Sequence, residues 1–289
     1  MDMYISNTKN IETYTRIVEP LLLKKEACNN LSLGILYRFL EKKEKADEAT
    51  PFLGLIKDNE GTLIYSFLQT PPHNLILADI DSIDSTIIEE IAQYLFKQGL
   101  VLPGVLGPTE YVEAFTSKWQ SLSQSKAAVH MRQLIYQLDH VNSINYPSGQ
   151  LVKASPDDKE LIKNWLVLFG EEANEVIPPE HAYKLAERFV NNGSVYLWRV
   201  NGVSVSMVNQ SRTTRNGTTI NGVYTPDTFK RKGYATAAVA KLSEKLLDSG
   251  HQFCALYTDL DNPTSNNIYK KIGYQVVGDS TVFHFELIK

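Results

Sequence analysis

Between Thr218 and Gly250 the chain changes character twice, and the two changes restrict the folds open to it. Thr218 to Thr225 is β-branched and aromatic apart from Asn221 and Gly222, the composition of a strand. Pro226 stops it, and a short turn carries Lys230, Arg231, Lys232 and Gly233. Apolar residues then fall at 235, 238, 239, 242 and 246, the spacing of one buried helix face, with Gly250 after Ser249 as the stop. The first N–H groups of such a helix have no internal partner, and the helix dipole adds positive potential there. Strand, basic glycine turn and helix together therefore form an anion site suited to a pyrophosphate. Taken alone, this stretch fits an ordinary strand–turn–helix with a solvated basic turn equally well.

The next segment narrows the choice. Phe253-Cys-Ala-Leu-Tyr257 predicts a strand. Asn262 is a natural N-cap with Pro263 at the first helical position, Ile268 and Ile272 share a face, and Gly273 ends the helix. Tyr269 sits one turn before Gly273. The loop Lys230-Arg-Lys-Gly233-Tyr-Ala235, followed by Asn262, Tyr269, Gly273 and Tyr274, resembles the GNAT superfamily of acetyl-CoA-dependent N-acetyltransferases. The resemblance spans about residues 150 to 289. The family's loop begins with Arg or Gln; Lys230 keeps the cation and loses the bidentate fork, which Arg231 partly restores.

The resemblance implies a site. The loop Lys230, Arg231, Lys232, Gly233, Tyr234, Ala235 and Thr236 would hold the pyrophosphate of coenzyme A. The main chain of Val223 to Thr225, including Tyr224, would hold the pantetheine arm, with Asn262 and Ser265 contacting the same arm. Tyr269 would be the general acid that protonates the departing thiolate; its plain alternative is a core aromatic. Many relatives carry a Glu base on the strand before the loop, but this strand has Asn221 and no carboxylate. Glu171, Glu172, Glu175, Asp259 and Asp261 are the candidates, and none stands out.

With 289 residues the chain is long enough for two domains. Its 43% hydrophobic and 21% charged residues support a packed core. The net charge of −4 argues against nucleic acid as a bulk electrostatic partner. Cys28 and Cys254 form no metal or redox motif, and the histidines show no metal spacing, so no metal is expected. No apolar run approaches ~18 residues and the N-terminus lacks a signal-peptide pattern, so a cytoplasmic protein without membrane attachment is expected. Monomer and dimer both remain open.

The N-terminal half repeats the C-terminal order. It begins polar, continues as a helix interrupted by Pro20, and has a second helix over Leu31–Leu40 and a charged exposed stretch at 41–50. Strands follow at 51–56, 63–68 and 75–78. A capping box at Thr86-Ile-Ile-Glu89 opens a helix ended by Gly99, and then come a strand at 102–106, a helix at 110–122 and a strand at 129–138. In the C-terminal half, strands at 195–200 and 203–208 are joined by Asn201-Gly202, a strong hairpin signal, and lead into the 218–272 unit.

This shared order predicts two copies of one fold: an α/β (α+β) chain of two GNAT-like domains, each with a mixed, mostly antiparallel sheet flanked by helices. The boundary is placed at 142/143, inside the linker 140–150. Where the second copy has Lys230 to Gly233, the first has Asp79, Asp81 and Asp84, a turn that repels pyrophosphate. The first domain, 1–142, is therefore expected to be degenerate and the second, 143–289, catalytic. The resemblance to the GNAT superfamily further implies that the helices from Ser155 and from Pro178-Pro179, with the loop between them, line the acceptor site. The expected activity is transfer of an acetyl group from acetyl-CoA to an amine, on a small molecule or peptide, by direct attack. Alternatives are a longer-chain acyl donor, a non-catalytic acyl-CoA-binding regulator, and an aminoacyl transferase with a tRNA donor, against which the net charge and the loop argue.

Overall fold

A computed structural model of the protein describes residues 3–41, 50–173 and 175–287. In chain order its elements are β1 (Met3–Thr8), α1 (Ile11–Leu22), α2 (Asn30–Glu41), β2 (Phe52–Asp58), β3 (Leu63–Gln69), β4 (Leu75–Leu77), α3 (Ser85–Lys97), β5 (Gly104–Gly107), α4 (Thr109–Ser123) and β6 (Ser125–Leu138). The second series is β7 (Gln150–Lys153), α5 (Lys159–Glu172), α6 (Pro179–Asn191), β8 (Val195–Val200), β9 (Val203–Thr213), β10 (Gly217–Tyr224), α7 (Tyr234–Asp248), β11 (Phe253–Asp259), α8 (Pro263–Ile272) and β12 (Gln275–Leu287). The two series follow one pattern, strand–helix–helix–three strands–helix–strand–helix–strand. The repeat is longer than the hydrophobic pattern alone indicates, because β1 belongs to it.

The chain forms two compact units that are not contiguous stretches of sequence. Unit 1 comprises Met1–Ile135, Thr258–Asp261 and Val276–Lys289; unit 2 comprises Tyr136–Tyr257 and Asn262–Gln275.

In unit 1, β1 pairs antiparallel with β2, β2 with β3 and β3 with β4. Then β4 pairs parallel with β5 through Leu75↔Val105 and Ile76↔Leu106, with α3 as the crossover. The other edge of β5 takes β12, antiparallel from Thr281↔Gly107 to His284↔Gly104. The last strand of the chain thus completes the sheet of the first unit. The core of this unit includes Tyr14, Val18, Leu33, Leu55, Ile91, Phe115 and Trp119, all buried. Each such side chain contributes about 1.5–3 kcal/mol on leaving water.

Three local expectations are corrected in unit 1. The polar start is a strand, β1, whose Met3 and Ile5 pack on the core; its alternation is too short to stand out in sequence. Pro20 does not interrupt α1, because it lies in the last turn of a helix that ends at Leu22. The cap of α3 is Asp84, not Thr86: the Asp84 side chain accepts from the Thr86 amide at 2.9 Å. The charged stretch at 41–50 falls at 42–49 outside the described residues.

In unit 2, β7, β8, β9 and β10 pair antiparallel in sequence order, and β10 pairs parallel with β11. Asn201 (φ +49) and Gly202 (φ +80) make the tight turn between β8 and β9, as their dipeptide predicts. One face of the unit is covered by α5 and α6, whose Ile162, Trp165, Leu166, Ala182 and Ala186 join Leu197, Met207 and Tyr224 in a core cluster. Helix α7 packs on β8, β9 and β10 through the buried residues Ala237, Ala238, Val239, Leu242 and Leu246.

Candidate active site

Two features of β10 open the backbone of unit 2. Its pairing with β9 slips between Asn221↔Asn209 and Tyr224↔Met207, so three steps along β10 match two along β9. This is a β-bulge, and Gly222 occupies it at φ +58, which an L side chain adopts only at a cost of roughly 1–2 kcal/mol. On the other edge, the parallel register with β11 ends at Thr219↔Ala255 among the described residues. Beyond that point β10 runs on to Tyr224 without β11 beside it. Val223 thus lies in the bulge, outside the residue pairs of the β9–β10 ladder. Sequence reasoning missed this bulge; the isolated Gly222 within a strand pattern is the signal that could have marked it.

Polar side chains fix the bulged strand from behind. Buried Asn209 donates to Asn221 Oδ1 at 2.8 Å and accepts from Ser194 Oγ at 2.7 Å. Fully buried Ser206 donates to the Tyr224 carbonyl at 3.2 Å and lies 2.8 Å from Thr225 Oγ1. Tyr224 turns its ring into the core, 5.9 Å from that of Trp165. Burial, and then nearby Glu172, raise its pKa. Only the main chain of Tyr224 is therefore placed to meet a ligand.

After β10, a single 3-10 turn at Asp227–Phe229 leads into the basic loop. Arg231 (φ +64) and Gly233 (φ +80) are both left-handed, on either side of Lys232. Gly233 is the N-cap of α7 and supplies no side chain to it. The first intrahelical bond is Ala237 N to Gly233 O at 3.0 Å, which leaves the amides of Tyr234, Ala235 and Thr236 without an acceptor among the described residues. An open helix N-terminus, a left-handed turn and exposed Arg231 and Lys232 form a fitting cradle for a phosphate. Lys232 also donates to the Thr228 carbonyl at 3.2 Å.

Lys230 has a different setting. Its Nζ lies 2.7 Å from Glu172 Oε1, at the end of α5, and 2.7 Å from Asp227 Oδ1. Hydrogen bonds to Asp227 and then Glu172 raise its pKa. The side chains of Lys230 and Glu172 are 39% and 47% exposed, so this ion pair contributes only about 0–1 kcal/mol to stability.

Helix α8 and its N-cap carry the remaining candidate residues of unit 2. Asn262 Oδ1 accepts the Ser265 amide at 3.0 Å, the N-cap that its sequence position predicts. Tyr269, 8% exposed, stands between Tyr136 and Tyr274, with ring centroids 6.1 and 6.0 Å away. The Tyr136 hydroxyl donates to Asn266 Oδ1 at 3.1 Å, and the Tyr274 hydroxyl lies 2.9 Å from Ser243 Oγ. The Tyr269 hydroxyl has no hydrogen-bond partner among the described residues. Burial, followed by Tyr136, pushes its pKa up to about 12, so it is protonated at neutral pH.

The five carboxylates divide by location. Glu172 is paired with Lys230, and Glu171 precedes it in the last turn of α5. Glu175 is tied through its amide to Gly170 O at 2.9 Å. Asp259 and Asp261 belong to unit 1, where Asp259 Oδ1 accepts the Asp261 amide at 2.9 Å. Among the described residues, no group of three or more His, Cys, Asp or Glu is arranged to hold a metal ion. None of the described helices is long and apolar enough to cross a membrane.

In unit 1 the corresponding turn is closed. Asp79 is 2.6 Å from Lys25 Nζ, and its main chain exchanges hydrogen bonds with the Asn29 amide group at 2.8 and 2.9 Å. Asp81 is 3.3 Å from the same lysine. The Asp84 carboxylate occupies the N-terminus of α3, where an incoming anion would otherwise bind. Cys28, beside Asp79, has its pKa pushed up to about 12 by burial and then by that carboxylate.

Residues 201–283, from the β8–β9 hairpin through β12, match the family model of the FR47-like proteins. The whole chain superposes on solved GNAT structures. The chain has the GNAT fold. A GNAT-family acetyltransferase from Colwellia psychrerythraea is 11% identical with a TM-score of 0.57, over 99% of this chain and 100% of that one. A GCN5-related N-acetyltransferase from Sphaerobacter thermophilus is 12% identical with a TM-score of 0.62, over 97% and 94%. A tandem GNAT protein from the clavulanic acid biosynthesis pathway is 12% identical with a TM-score of 0.57, over 99% and 98%. At such identities the likeness is one of fold, and it extends through both GNAT-like halves. No curated protein matches the chain in sequence.

Proposed function

We propose that the protein is an acyl-CoA-dependent N-acyltransferase, with acetyl-CoA as the donor and a small-molecule or peptide amine as the acceptor. The observation that carries this reading is the pairing, in one unit, of an open helix N-terminus at Gly233 with Tyr269, whose ring is buried and whose hydroxyl is protonated and unpartnered. An open N-terminus with Arg231 and Lys232 suits the pyrophosphate of coenzyme A. The main chain of Val223, in the bulge, and of Thr225, just past the end of β10, suits the amides of the pantetheine arm. Asn262 and Ser265, at the start of α8, are assigned to the same arm.

Coenzyme A supplies an acetyl thioester, whose acyl carbon passes to the amine nitrogen as the carbon–sulfur bond breaks. The residues of this chain do the rest. An N–H of the bulged strand at Val223 donates toward the thioester oxygen and stabilises the charge that develops on it. Tyr269 holds a proton at its hydroxyl, close to neutral pH, for the departing sulfur. The amine attacks directly and loses its proton to water, with no covalent attachment to the protein.

Unit 1 is assigned a non-catalytic role, because Asp84 fills the one helix N-terminus that matches the α7 site. The test is to incubate the protein with acetyl-CoA and a panel of amines (spermidine, kanamycin, tryptamine and a lysine-containing peptide) and to follow thiol release. Acetyl-dependent release with an acetylated product supports the reading. Tight acetyl-CoA binding without transfer to any amine would favour the regulator instead. Release that is faster with a longer acyl chain would move the donor assignment to that chain.

A further inference from the structure

Lys230 stands where the first cation of a phosphate loop belongs, yet its ammonium is engaged elsewhere. Two carboxylates hold it, Asp227 within the same turn and Glu172 from a different element, each at 2.7 Å. Glu172 is the last residue of α5. A carboxylate there faces the negative end of the helix dipole, Glu171 adds a second negative charge beside it, and α5 has no basic residue in its last turn. The cation that answers these charges comes from Lys230, 58 residues further along the chain. Past Glu172 the chain runs through Ala173, whose amide closes the helix on Phe169 O at 2.9 Å, and on to Pro179, where α6 begins. Lys230 therefore ties the start of the basic loop to the end of α5 and to the segment that leads into α6.

We propose that Lys230 is a positioning residue: through Glu172 it fixes the C-terminal end of α5, and with it the segment entering α6, and it is not itself a pyrophosphate ligand. The assignment of the 231–236 loop to the cofactor and of the α5–α6 segment to the acceptor side rests on the function proposed above. The bridge itself does not. The side chains left for an anion at the loop are Arg231 and Lys232, with the amides of Tyr234 to Thr236 behind them.

The experiment uses the full chain as wild type, Lys230→Met, Lys230→Arg, Glu172→Gln and the double variant Lys230→Met/Glu172→Gln. Amide hydrogen exchange is followed over residues 168–178 without ligand, and coenzyme A is titrated calorimetrically into each protein. Lys230→Met and Glu172→Gln should each speed exchange in that segment by about two- to fivefold, the range that loss of an exposed ion pair gives. The double variant should be no faster than either single, and Lys230→Arg should restore the wild-type rate. The dissociation constant for coenzyme A in Lys230→Met should stay within about threefold of wild type, as for a residue that makes no phosphate contact. Unchanged exchange at 168–178 in Lys230→Met overturns the proposal. So does a tenfold or greater loss of coenzyme A affinity in Lys230→Met that Glu172→Gln does not share. If wild type does not bind coenzyme A at all, the cofactor assignment fails, while the exchange measurements still decide the clamp.

Discussion

The Asp84 carboxylate accepts the Thr86 amide at 2.9 Å and so closes the N-terminus of α3 with a negative charge. At the matching position of the second series, Gly233 leaves α7 uncapped. The two copies differ at this helix end and also in the turn before it, where unit 1 carries Asp79 and Asp81 against Lys25 and unit 2 carries Arg231 and Lys232, so opening the helix end alone does not make a second site. Replacing Gly233 with Glu should remove coenzyme A binding, because the new carboxylate sits at φ +80 on the anion site. Asp84→Gly should lower the melting temperature of the protein without adding a second binding site. Isothermal titration of coenzyme A into both variants checks this, and two sites in Asp84→Gly would contradict the non-catalytic assignment of unit 1.

Tyr269→Phe keeps the ring between Tyr136 and Tyr274 and removes only the hydroxyl. If that hydroxyl protonates the thiolate, kcat should fall by roughly 10²–10⁴ while acetyl-CoA affinity barely moves. A kcat within a few-fold of wild type, with chemistry rate-limiting, would leave Tyr269 as a core aromatic. The pH profile gives a second check. Because the Tyr269 pKa is held up at about 12, its acid form persists above the usual phenol range. Activity should therefore show no loss from phenol ionisation as pH rises through 10.

Gly222→Ala should act on the bulge and not on the core. The added Cβ meets Asn209 Cβ at an ordinary 3.6 Å, so the penalty is the φ of +58, roughly 1–2 kcal/mol. A strand that relaxes by losing the bulge returns Val223 to the ladder. The expected result is a larger loss in kcat than in coenzyme A affinity. Equal values for the variant and wild type would remove the bulge from the mechanism.

Deleting residues 276–289 should destabilise the N-terminal unit although the cut is at the far end of the chain. The deletion strips β5 of its antiparallel partner over Gly104–Gly107 and removes Phe283 and Phe285 from the core of unit 1. Hydrogen exchange over β4 and β5 should rise well above that of full-length protein. Unchanged protection there would show that β5 does not depend on β12.

Within unit 1 the rings of His130 and His284 stack at 4.2 Å. Burial, and then His130, lower the pKa of His284. A histidine with a depressed folded pKa contributes stability that is present above its unfolded value near 6.5 and is lost as pH falls through the folded value. Thermal melts from pH 8 to 5 should therefore show a decline that is shallower in His130→Asn. The same slope in both proteins would mean that the pair is not coupled.

Much of the fold is legible in the sequence. The 3.6-residue spacing of α7, the Asn201-Gly202 turn and the Asn262 cap each express a local rule: helix periodicity, a left-handed dipeptide, a side chain that satisfies a helix amide. The basic loop stands out by its composition, whereas Tyr269 is singled out only by the resemblance of its segment to the GNAT superfamily. Other features depend on what lies across space. The short alternation of β1 carries little signal until β2 is beside it. The bulge at Gly222 is defined by a slip against β9, and the pKa of Tyr269 by burial beside Tyr136. The membership of β12 in unit 1 and the grip of Glu172 on Lys230 join residues far apart in the chain. A sequence encodes such partners only through the whole packed structure, because hydrogen bonds, desolvation and ion pairs are decided by distance and not by position along the chain.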